Sequence, residues 1–415
     1  MHKVVIIGGG LAGKMTAEFL KKNKSPELSL TIITASHFQE WSLAGTYTLA
    51  NPEKLHKFIS PNPSTWQLPG VAYEFGIVEE VTDGLVKLAG GKAVPFDACV
   101  VATGFSLPLV VPKPGITHKE RVDEVQAASE AIRKAQHILI AGGGAVGVEL
   151  LGDLRETAPA GAKFTLVCAT PTLLPHSDAK YQAKALRKLE SWGVEVLFNE
   201  KVADEYGSPA PVLERRAHTL KSNKVIEADV YLPAFSQGPR TQFLRASASQ
   251  LPQGGVLNGV GLVDVNDYLQ AKAYPKLFAV GCSSKNEPAM VPKIEAQAKT
   301  TAANVKAFLD GKPLAEHKEA MPEANHPLLQ VMGHNTYAFF EPDAMPGPMG
   351  RCVRCCGFPC CPCCPCWCCC PPMACGFCCG SPEGQGTAKL SSVMLTKFAG
   401  SNFKGMGEAP KQQTM

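Results

Sequence analysis

Apolar residues near the start of the chain form an uninterrupted run rather than an alternating one. Residues 3–7, Lys-Val-Val-Ile-Ile, are short in extent and rich in β-branched side chains, which predicts a parallel strand buried on both faces. The run leads into Gly8-x-Gly10-x-x-Gly13, and residues 14–22 then show helical spacing. The pattern therefore predicts a strand, a tight glycine turn and a helix.

The glycine spacing of this turn has a physical meaning. The first glycine permits the turn, the second lets a pyrophosphate approach the backbone, and the third lets helix and strand pack closely. The phosphates would then lie on free N–H groups at the positive end of the helix. The alternative is an ordinary glycine-rich connection between a strand and a helix. The flanking strand and helix favour a dinucleotide site.

The same unit occurs a second time. Residues 137–141 predict a strand, Gly142-x-Gly144-x-x-Gly147 forms the turn, and residues 148–154 begin a helix. A repeated unit is more specific than either turn alone. The sequence therefore predicts two dinucleotide sites on an α/β fold with two Rossmann-like domains, the second inserted in the first.

The hydrophobic pattern of the remaining chain predicts the other strands and helices of this fold. We predict strands over 28–34, 96–104, 163–168, 194–198, 229–234, 262–265 and 276–282, paired short strands over 71–88, and helices over 178–192 and 292–309. Asp83-Gly84 is a hairpin turn signal within the paired strands. Residues 37–70 are Pro-rich and predicted to be irregular.

Composition narrows the function. The 415 residues carry a formal charge of +4, from 41 basic and 37 acidic residues, which is too balanced to indicate a nucleic-acid partner. No signal peptide pattern precedes the first strand, and His2 stands where N-myristoylation would need glycine. No apolar run reaches membrane-spanning length. We expect a cytoplasmic protein.

Cysteines are concentrated in a tail. Of seventeen, all but Cys99, Cys168 and Cys282 lie between Cys352 and Cys379. This low-complexity segment contains several prolines, so it cannot form a continuous spanning helix. Three interpretations stay open: S-acylation giving peripheral membrane attachment, soft-metal binding by clustered thiolates, and a disordered tail of minor function.

Together these motifs resemble the flavoproteins that carry two dinucleotide-binding domains. The likeness is to the apoptosis-inducing-factor-like NAD(P)H:quinone oxidoreductases, in particular the ferroptosis-suppressor branch, with type II NADH dehydrogenases more distant. It covers residues 3–350. It rests on both glycine turns, Ala102-Thr103-Gly104, Pro275-x-Leu277-Phe278-Ala279-Val280-Gly281 and Leu328-Leu329-x-x-Met332-Gly333.

The resemblance implies a division of the chain. It assigns 1–110 and 250–315 to an FAD-binding domain and 111–249 to an NAD(P)-binding domain. Residues 316–350 would be a C-terminal interface segment, followed by the Cys-rich tail over 351–415. The implied cofactors are FAD and an electron donor, NADH or NADPH, and the implied acceptor is a quinone-like molecule. An oligomeric state is not specified.

The resemblance also implies site residues. Those that would hold FAD are Gly8, Gly10, Leu11, Ala12, Gly13, Thr34, Val78, Ala102, Thr103, Gly104, Gly281 and Cys282. Those that would hold the nicotinamide dinucleotide are Gly142, Gly144, Ala145, Val146, Gly147 and Glu149. Pro292 and Lys293 would begin a helix whose positive end faces the flavin ring. Chemistry based on the flavin requires no catalytic side chain, and no metal site is predicted.

The chain departs from the family pattern at several positions. Thr34 and Cys282 replace acidic residues, Thr46 stands where an arginine is expected, and Phe235-Ser236 replaces the Thr-Gly that usually ends the second domain's last strand. Most of these changes remove polar contacts to FAD. An alternative function is therefore a nucleotide-binding sensor or interaction protein with a degenerate FAD site and little turnover.

Several individual roles have two interpretations. Glu149 is a nicotinamide ligand or a first-turn helix carboxylate favoured by the dipole. Lys293 approaches the flavin or is a solvated lysine at a helix start. Cys282 reacts with flavin or, as we favour, is a small buried cysteine that fills space.

The absence of cysteines before Cys99 argues against a redox disulfide beside the flavin. Cys168 leaves the choice between NADH and NADPH open, because it is neither the acid that favours NAD nor an arginine for a 2′-phosphate.

Overall fold

The fold is an α/β arrangement built on two parallel sheets. A computed structural model describes residues 1–22, 27–203, 210–247, 251, 255–284, 291–319, 329–332, 338–340 and 383–384. Its helices are α1 (Leu11–Lys22), α2 (Gly45–Ala50), α3 (His118–Lys134), α4 (Ala145–Leu154), α5 (Ala179–Ser191), α6 (Phe243–Ala246) and α7 (Val291–Leu309).

The strands follow in chain order. They are β1 (His2–Ile7), β2 (Leu28–Thr34), β3 (Gln39–Glu40), β4 (Ile59–Ser60), β5 (Ala72–Phe75), β6 (Val78–Thr82), β7 (Leu85–Leu88), β8 (Ala93–Pro95), β9 (Ala98–Val101), β10 (His137–Ala141), β11 (Lys163–Cys168), β12 (Glu195–Phe198), β13 (Arg216–Thr219), β14 (Val225–Ala228), β15 (Val230–Pro233), β16 (Leu277–Ala279), β17 (Leu329–Val331), β18 (Ala338–Phe340) and β19 (Glu383–Gly384).

The first sheet is parallel and has the strand order β16-β9-β1-β2-β5. Alternate residues of β1 face opposite sides of it. Val4 and Ile6 pack under α1 and α7, whereas Val5 and Ile7 pack against the antiparallel sheet β6-β7-β8. Burial on both faces explains why the sequence of β1 is continuously apolar.

The second sheet repeats this architecture with the order β12-β11-β10-β15. Ile138 and Ile140 of β10 join the core formed with α3, α4 and α5. Leu139 and Ala141 face the β13–β14 hairpin. Both glycine turns therefore leave the central strand of a parallel sheet at its carboxyl end, where ligands bind in folds of this kind.

Two stretches of chain connect the sheets, and they pair with each other. Ser106 N donates to Gly238 O at 3.0 Å, and Gln237 N donates to Ser106 O at 2.8 Å. The Arg240 side chain donates to Ser106 Oγ and Pro112 O, at 3.1 and 2.8 Å. The division into domains at residues 110 and 250 stays a prediction.

Most of the predicted elements are present, although the predicted strand 276–282 is shorter in the structure and ends at Ala279. The structure adds helix α3 and the β13–β14 hairpin, which the sequence analysis does not predict. Three further differences concern residues 37–88 and 262–265. Residues 37–70, predicted as irregular, contain β3, α2, β4 and short 3₁₀ turns. Residues 262–265, predicted as a strand, form only isolated bridges with residues 257 and 271. The segment 71–88 is divided between sheets, since β5 extends the first parallel sheet while β6 and β7 form the predicted hairpin, with Gly84 at φ +83°. Most of residues 316–350 and nearly all of the cysteine-rich tail lie outside the described residues.

Candidate functional site

The first glycine turn combines two packed positions with one open position. Gly8 has φ +118°, and a Cβ added there would lie 2.3 Å from Ala102 O. A Cβ on Gly13 would lie 1.9 Å from Gly8 O. At Gly10 an added Cβ would meet no protein atom within 4 Å. The turn and the helix packing thus require Gly8 and Gly13, while Gly10 leaves open space in front of the backbone at the start of α1.

The second glycine turn has the same geometry. Gly142 has φ +124° and its Cβ would lie 2.7 Å from Ala234 O, while a Cβ on Gly147 would lie 1.8 Å from Gly142 O. Gly144 faces open space and is the N-cap of α4, with no side-chain capping bond. The leading N–H groups of a helix have no partner within the helix, so this end can hold an anion.

A third loop lies against the first turn. Gly281, which follows β16 with φ +71°, comes so close to α1 that an added Cβ would lie 3.1 Å from Ala12 Cβ. Its N–H donates to Gln297 Oε1 on α7 at 2.7 Å. The structure therefore brings together Gly281, Ala12 and the strand exit at Ala102, which are among the residues that the resemblance assigns to FAD.

Cys282 follows directly in this loop and is only partly buried, so it is more exposed than the buried cysteine that the sequence predicts. Burial of much of the residue raises the pKa of its thiol above the usual value. A raised thiol pKa keeps the sulfur protonated and weakly nucleophilic near neutral pH. Cys282 can therefore offer a weak hydrogen bond at this position but no charge.

Thr34 and Val78 lie at the far edge of the same turn. Thr34 ends β2, and its carbonyl accepts a hydrogen bond of 3.0 Å from Gly76 N. Val78, the first residue of β6, is half-buried two positions later. This bond holds the start of β6 beside the end of β2, which is the placement expected for residues at the adenosine end of a dinucleotide.

Buried donors without protein partners occur close to this turn. Thr103 Oγ1, directly after Ala102, and Thr46 Oγ1, on the fully buried α2, have no hydrogen-bond partner among the described residues. A buried polar group in this condition costs free energy unless a ligand or water satisfies it. Together with the open space at Gly10, the unsatisfied hydroxyl of Thr103 fits a site built for a polar group such as FAD.

An open cleft lies along this end of α1. It is formed by α1 on one side and by β3 with the following turn on the other. Its lining residues are Gly10, Leu11, Lys14, Met15, Glu18, Gln39, Glu40, Trp41, Ser42 and Leu43. The cleft thus joins the phosphate-binding turn to a wall that is partly apolar.

Glu40 of that wall is held by a buried arginine. Arg121 of α3 is fully buried and donates to both carboxylate oxygens of Glu40, from Nε at 2.8 Å and Nη2 at 2.7 Å. It also donates to Glu124 Oε2 and Leu109 O, at 2.8 and 2.7 Å. A bidentate pair of this kind is geometrically specific. It fixes β3, and with it one side of the cleft, to the start of α3.

Lys14 is the buried cation of the cleft. It is 7% exposed, although it belongs to the amphipathic α1. Burial lowers the pKa of its ammonium group to about 8, and the charge of Glu18 opposes that shift. Lys14 therefore remains mainly charged at pH 7.

Lys293 lies at the start of α7 and is almost completely buried. Its Nζ forms an ion pair with Glu319, which is one-third exposed. The interpretation of Lys293 as a solvated lysine is therefore wrong. Pro292 beside it is exposed. Since Gln297, one turn later, holds Gly281, this end of α7 is attached to the loop beside the first glycine turn.

Glu149 is half-buried on α4. Because α4 begins at Ala145, Glu149 lies just past the first turn, where the dipole contribution has already fallen off. The interpretation of Glu149 as a carboxylate in the first turn of the helix is therefore wrong. Its role as a nicotinamide ligand stays a prediction. Ala145 and Val146 begin the helix next to the open Gly144, as expected.

Sequence reasoning missed several residues of this region. Arg121 and Glu40 are far apart in the chain, and nothing local marks them as partners. The signal for Lys14 was available, because it occupies the same face of α1 as Leu11 and Glu18. Gln297 could not be distinguished from other polar residues of α7.

In the described part of the chain, no group of three or more His, Cys, Asp or Glu side chains could hold a metal ion. Among the described residues no helix is both long and apolar enough to cross a membrane. The three interpretations of the cysteine-rich tail fall on residues outside that part.

Comparison with known proteins identifies relatives. The family model described as "Pyridine nucleotide-disulphide oxidoreductase" matches residues 2–298. Apoptosis-inducing factor homolog B of Dictyostelium discoideum is 27% identical over 341 residues, which is 77% of this chain and 85% of that protein. Ferroptosis suppressor protein 1 of Xenopus laevis is 28% identical over 341 residues, covering 80% of this chain and 87% of that protein. These matches confirm the resemblance seen in the sequence.

A solved structure shows the same fold. The sulfide:quinone oxidoreductase from Aquifex aeolicus superposes with a TM-score of 0.62 at 18% identity, covering 82% of this chain and 83% of that chain. At this identity the likeness concerns the fold alone. It agrees with the arrangement of parallel sheets described above.

Proposed function

Because the chain belongs to the pyridine nucleotide-disulphide oxidoreductase family, we propose that it is an NAD(P)H-oxidising flavoprotein whose electron acceptor is a quinone-like molecule. The family is FAD-dependent and uses NADH or NADPH. That makes the chain an FAD-dependent oxidoreductase. Our proposal adds to this the identity of the electron acceptor, a quinone-like molecule.

One observation carries the redox assignment. Gly10 and Gly144 occupy equivalent places in two turns of the same geometry, and each faces space that no protein atom fills. A glycine is needed at such a place when a ligand must come close to the backbone. Two such turns at the carboxyl ends of two parallel sheets provide for two dinucleotides, one for each cofactor.

The residues of the first turn would hold FAD. Gly10, Leu11 and Ala12 offer backbone N–H groups to the pyrophosphate at the positive end of α1, and Thr103 supplies an unsatisfied buried hydroxyl. When bound, FAD supplies the hydride chemistry that side chains cannot perform. The protein's part is to bind and orient both cofactors, so a catalytic side chain is not required.

The residues of the second turn would hold the nicotinamide dinucleotide. The uncapped start of α4 at Gly144 offers its N–H groups to the phosphates. At the end of the neighbouring strand β11, the fully buried Cys168 presents neither a negative nor a positive charge. Discrimination between NADH and NADPH normally depends on a charge at this position. We therefore expect the two donors to be used with similar efficiency.

The proposal of a quinone-like acceptor is supported by the resemblance to the ferroptosis-suppressor branch, which implies such an acceptor.

A panel of acceptors tests this proposal. The FAD-reconstituted protein is mixed with NADH or NADPH and one of four acceptors: a short-chain ubiquinone, menadione, ferricyanide or an aromatic disulfide. We expect turnover with the quinones and ferricyanide and none with the disulfide, because the structure shows no cysteine pair among the described residues. Turnover restricted to ferricyanide would contradict the quinone proposal. Tight binding of both nucleotides with no turnover would favour the sensor alternative.

Membrane attachment through the tail is a separate proposal. The segment from Cys355 to Pro382 carries many cysteines and no charged residue. Acylation of several of them would bring the protein to a membrane surface. Acyl-exchange labelling of the full chain expressed in eukaryotic cells tests this, with metal analysis of the reduced protein as the test of the thiolate alternative.

A further inference from the structure

We propose that Arg240 is a positioning residue that fixes how the two glycine turns face each other, and with them the nicotinamide and the flavin. It acts on the two stretches of chain that connect the parallel sheets, residues 104–112 and 235–241, which we call the linker pair. The inference rests on the proposed use of the two turns for FAD and a nicotinamide dinucleotide. It concerns the placement of one cofactor relative to the other rather than the binding of either.

Each stretch of the linker pair starts directly beside one glycine turn. The first stretch follows the strand exit at Ala102, whose carbonyl oxygen lies 2.3 Å from the position of a Cβ on Gly8. The second stretch follows Ala234, whose carbonyl oxygen lies 2.7 Å from the position of a Cβ on Gly142. A bend or twist in the linker pair therefore changes how the first turn faces the second.

The backbone holds the linker pair together over only a few residues. Ser106 N donates to Gly238 O at 3.0 Å, and Gln237 N donates to Ser106 O at 2.8 Å. Arg240 N donates to Gly104 O at 2.9 Å. A two-stranded antiparallel ribbon is marginally stable by itself. Side-chain contacts are therefore needed to fix its shape.

The side chain of Arg240 makes such contacts at two separate points of the first stretch. Its Nε donates to Ser106 Oγ at 3.1 Å, and its Nη2 donates to Pro112 O at 2.8 Å. Because the guanidinium is planar and rigid, these two bonds fix Ser106 relative to Pro112. The next residue, Thr241, is buried and donates through Oγ1 to Gly261 O. This second anchor keeps the backbone at Arg240 in place.

The surroundings of Arg240 explain why its position is well defined. Both of its side-chain bonds go to neutral oxygens of the linker pair, and in the described part of the chain no ion pair joins it to a carboxylate. Burial lowers the pKa of its guanidinium to about 10, because desolvation disfavours the charged form. A largely desolvated charge is costly unless it is hydrogen-bonded. Its two bonds to the linker pair therefore hold the guanidinium there.

The first stretch also contains a strained backbone position. Leu109 is buried and has φ +61°, a left-handed conformation that bulky side chains rarely adopt. Such strain persists only where the surrounding structure holds the chain. Arg121 Nη2 donates to Leu109 O at 2.7 Å, and Arg240 holds Pro112 O three residues later. Removal of Arg240 takes away one of these two constraints and lets the first stretch relax.

Hydride transfer is the step that should respond. In this step a hydride passes from the nicotinamide to the flavin, so that NADH or NADPH becomes its oxidised form and the oxidised flavin becomes the anionic reduced form. The rate depends steeply on the approach of the two rings, because a displacement of about 1 Å can cost about a hundredfold. The affinity for each nucleotide depends on its own glycine turn and should change little.

Stopped-flow reduction of the FAD-loaded protein by NADH or NADPH without oxygen separates these effects, since it gives a nucleotide dissociation constant and a limiting rate. Arg240→Gln should lower the limiting rate about tenfold, with a dissociation constant within about twofold of the wild type. Arg240→Lys should give an intermediate rate, because an ammonium group lacks the fixed pair of donors. Arg245→Gln, at an exposed arginine of α6, should match the wild type.

Ser106→Ala keeps the inference testable if Arg240→Gln does not fold, because it removes one acceptor of Arg240 and adds no atom. We expect its limiting rate to fall about threefold, since one of the two side-chain bonds is lost. A wild-type limiting rate in Arg240→Gln, or in Ser106→Ala if only that variant folds, would overturn the role of Arg240. A defect confined to the affinity for FAD or the nucleotide would also overturn it. A wild type whose bound FAD neither nucleotide reduces would instead overturn the proposed function.

Discussion

Thr34 and Cys168 hold the same position in the two halves of the molecule. Each ends the second strand of its sheet, β2 or β11, and each side chain occupies the space where a Cβ of the middle glycine of the adjacent turn would lie. A Cβ added to Gly9 would lie 3.0 Å from Thr34 Oγ1, and one added to Gly143 would lie 2.4 Å from Cys168 Sγ. This is the place from which an acidic residue usually contacts a ribose. In this chain both halves present a small uncharged side chain there.

The first prediction restores an acid at the first of these positions. Thr34→Glu should bind FAD about tenfold more tightly, because a carboxylate accepts stronger hydrogen bonds from ribose hydroxyls than a neutral hydroxyl does. Fluorescence titration of the apoprotein measures the effect. The isosteric Thr34→Gln is the control, and equal affinities of the two variants would show that the charge plays no part.

The second prediction separates the cofactor role of the glycines from their structural role. Gly10→Ala and Gly144→Ala should fold, since the added methyl groups meet no protein atom within 4 Å. Gly10→Ala should weaken FAD binding by at least about tenfold, and Gly144→Ala should weaken NAD(P)H binding similarly while FAD is retained. Gly13→Ala should fail to fold, because its Cβ would lie 1.9 Å from Gly8 O.

Thermal melting and nucleotide titration of the three variants check this second prediction. A stable Gly10→Ala protein with normal affinity for FAD would contradict the placement of the pyrophosphate at the first turn. A well-folded Gly13→Ala protein would contradict the packing of α1 against the turn.

The glycine turns could be predicted from sequence because their determinants are local. A buried strand, the turn and the following helix lie within about twenty residues, and the repeat confirms the pattern within one chain. Cys282, Ala102 and Ala12 could be brought together only through the resemblance, because β16 and β9 are adjacent in space but distant in the chain. The order of the strands in the sheet depends on such long-range pairings, so local sequence patterns do not predict it.

Other parts could not be predicted, for physical reasons. Helix α2 has no side-chain cap at its start, and all six of its residues are buried. Tertiary packing stabilises α2, and the Pro-rich sequence around it contains no local signal that would predict a helix. The apolar run 262–265 looks like a strand, but it finds only isolated bridging partners. The Arg121–Glu40 pair spans 81 positions, and no periodicity connects them.

A third prediction concerns that buried pair. Arg121→Leu leaves the carboxylate of Glu40 buried without its partner, and we expect the free energy of unfolding to fall by about 3–5 kcal/mol. Urea denaturation measures it. Lys119→Ala serves as control, because its ion pair with Asp123 is exposed and its removal should produce no measurable change. Equal stabilities of Arg121→Leu and wild type would contradict a stabilising role for the pair.

A fourth prediction concerns pH. Hydrogen bonds from Lys224 and Lys163 lower the pKa of Glu195 from 4.5 to about 2. A carboxylate with a depressed pKa stabilises the folded state above its unfolded pKa, and the stabilisation is lost as pH falls through the folded pKa. Glu195→Gln should therefore lower the free energy of unfolding at pH 7, by about 1 kcal/mol because the site is one-third exposed.

The difference between Glu195→Gln and wild type should shrink between pH 4.5 and 2. Urea denaturation over this range follows it. Glu190→Gln, which removes a carboxylate at an exposed position of α5, is measured alongside as the matched control. A constant difference across the range would mean that the ionisation of Glu195 contributes nothing to stability.

The central claim is that the two glycine turns hold FAD and a nicotinamide dinucleotide in one redox unit. The most direct measurement is the visible spectrum of the purified protein, reconstituted with FAD and then mixed with NADH or NADPH without oxygen. We expect a bound flavin spectrum whose visible band bleaches on addition of the nucleotide and returns when a quinone is added. A protein that stays colourless in the presence of FAD, or a bound flavin that neither nucleotide bleaches, would contradict the account.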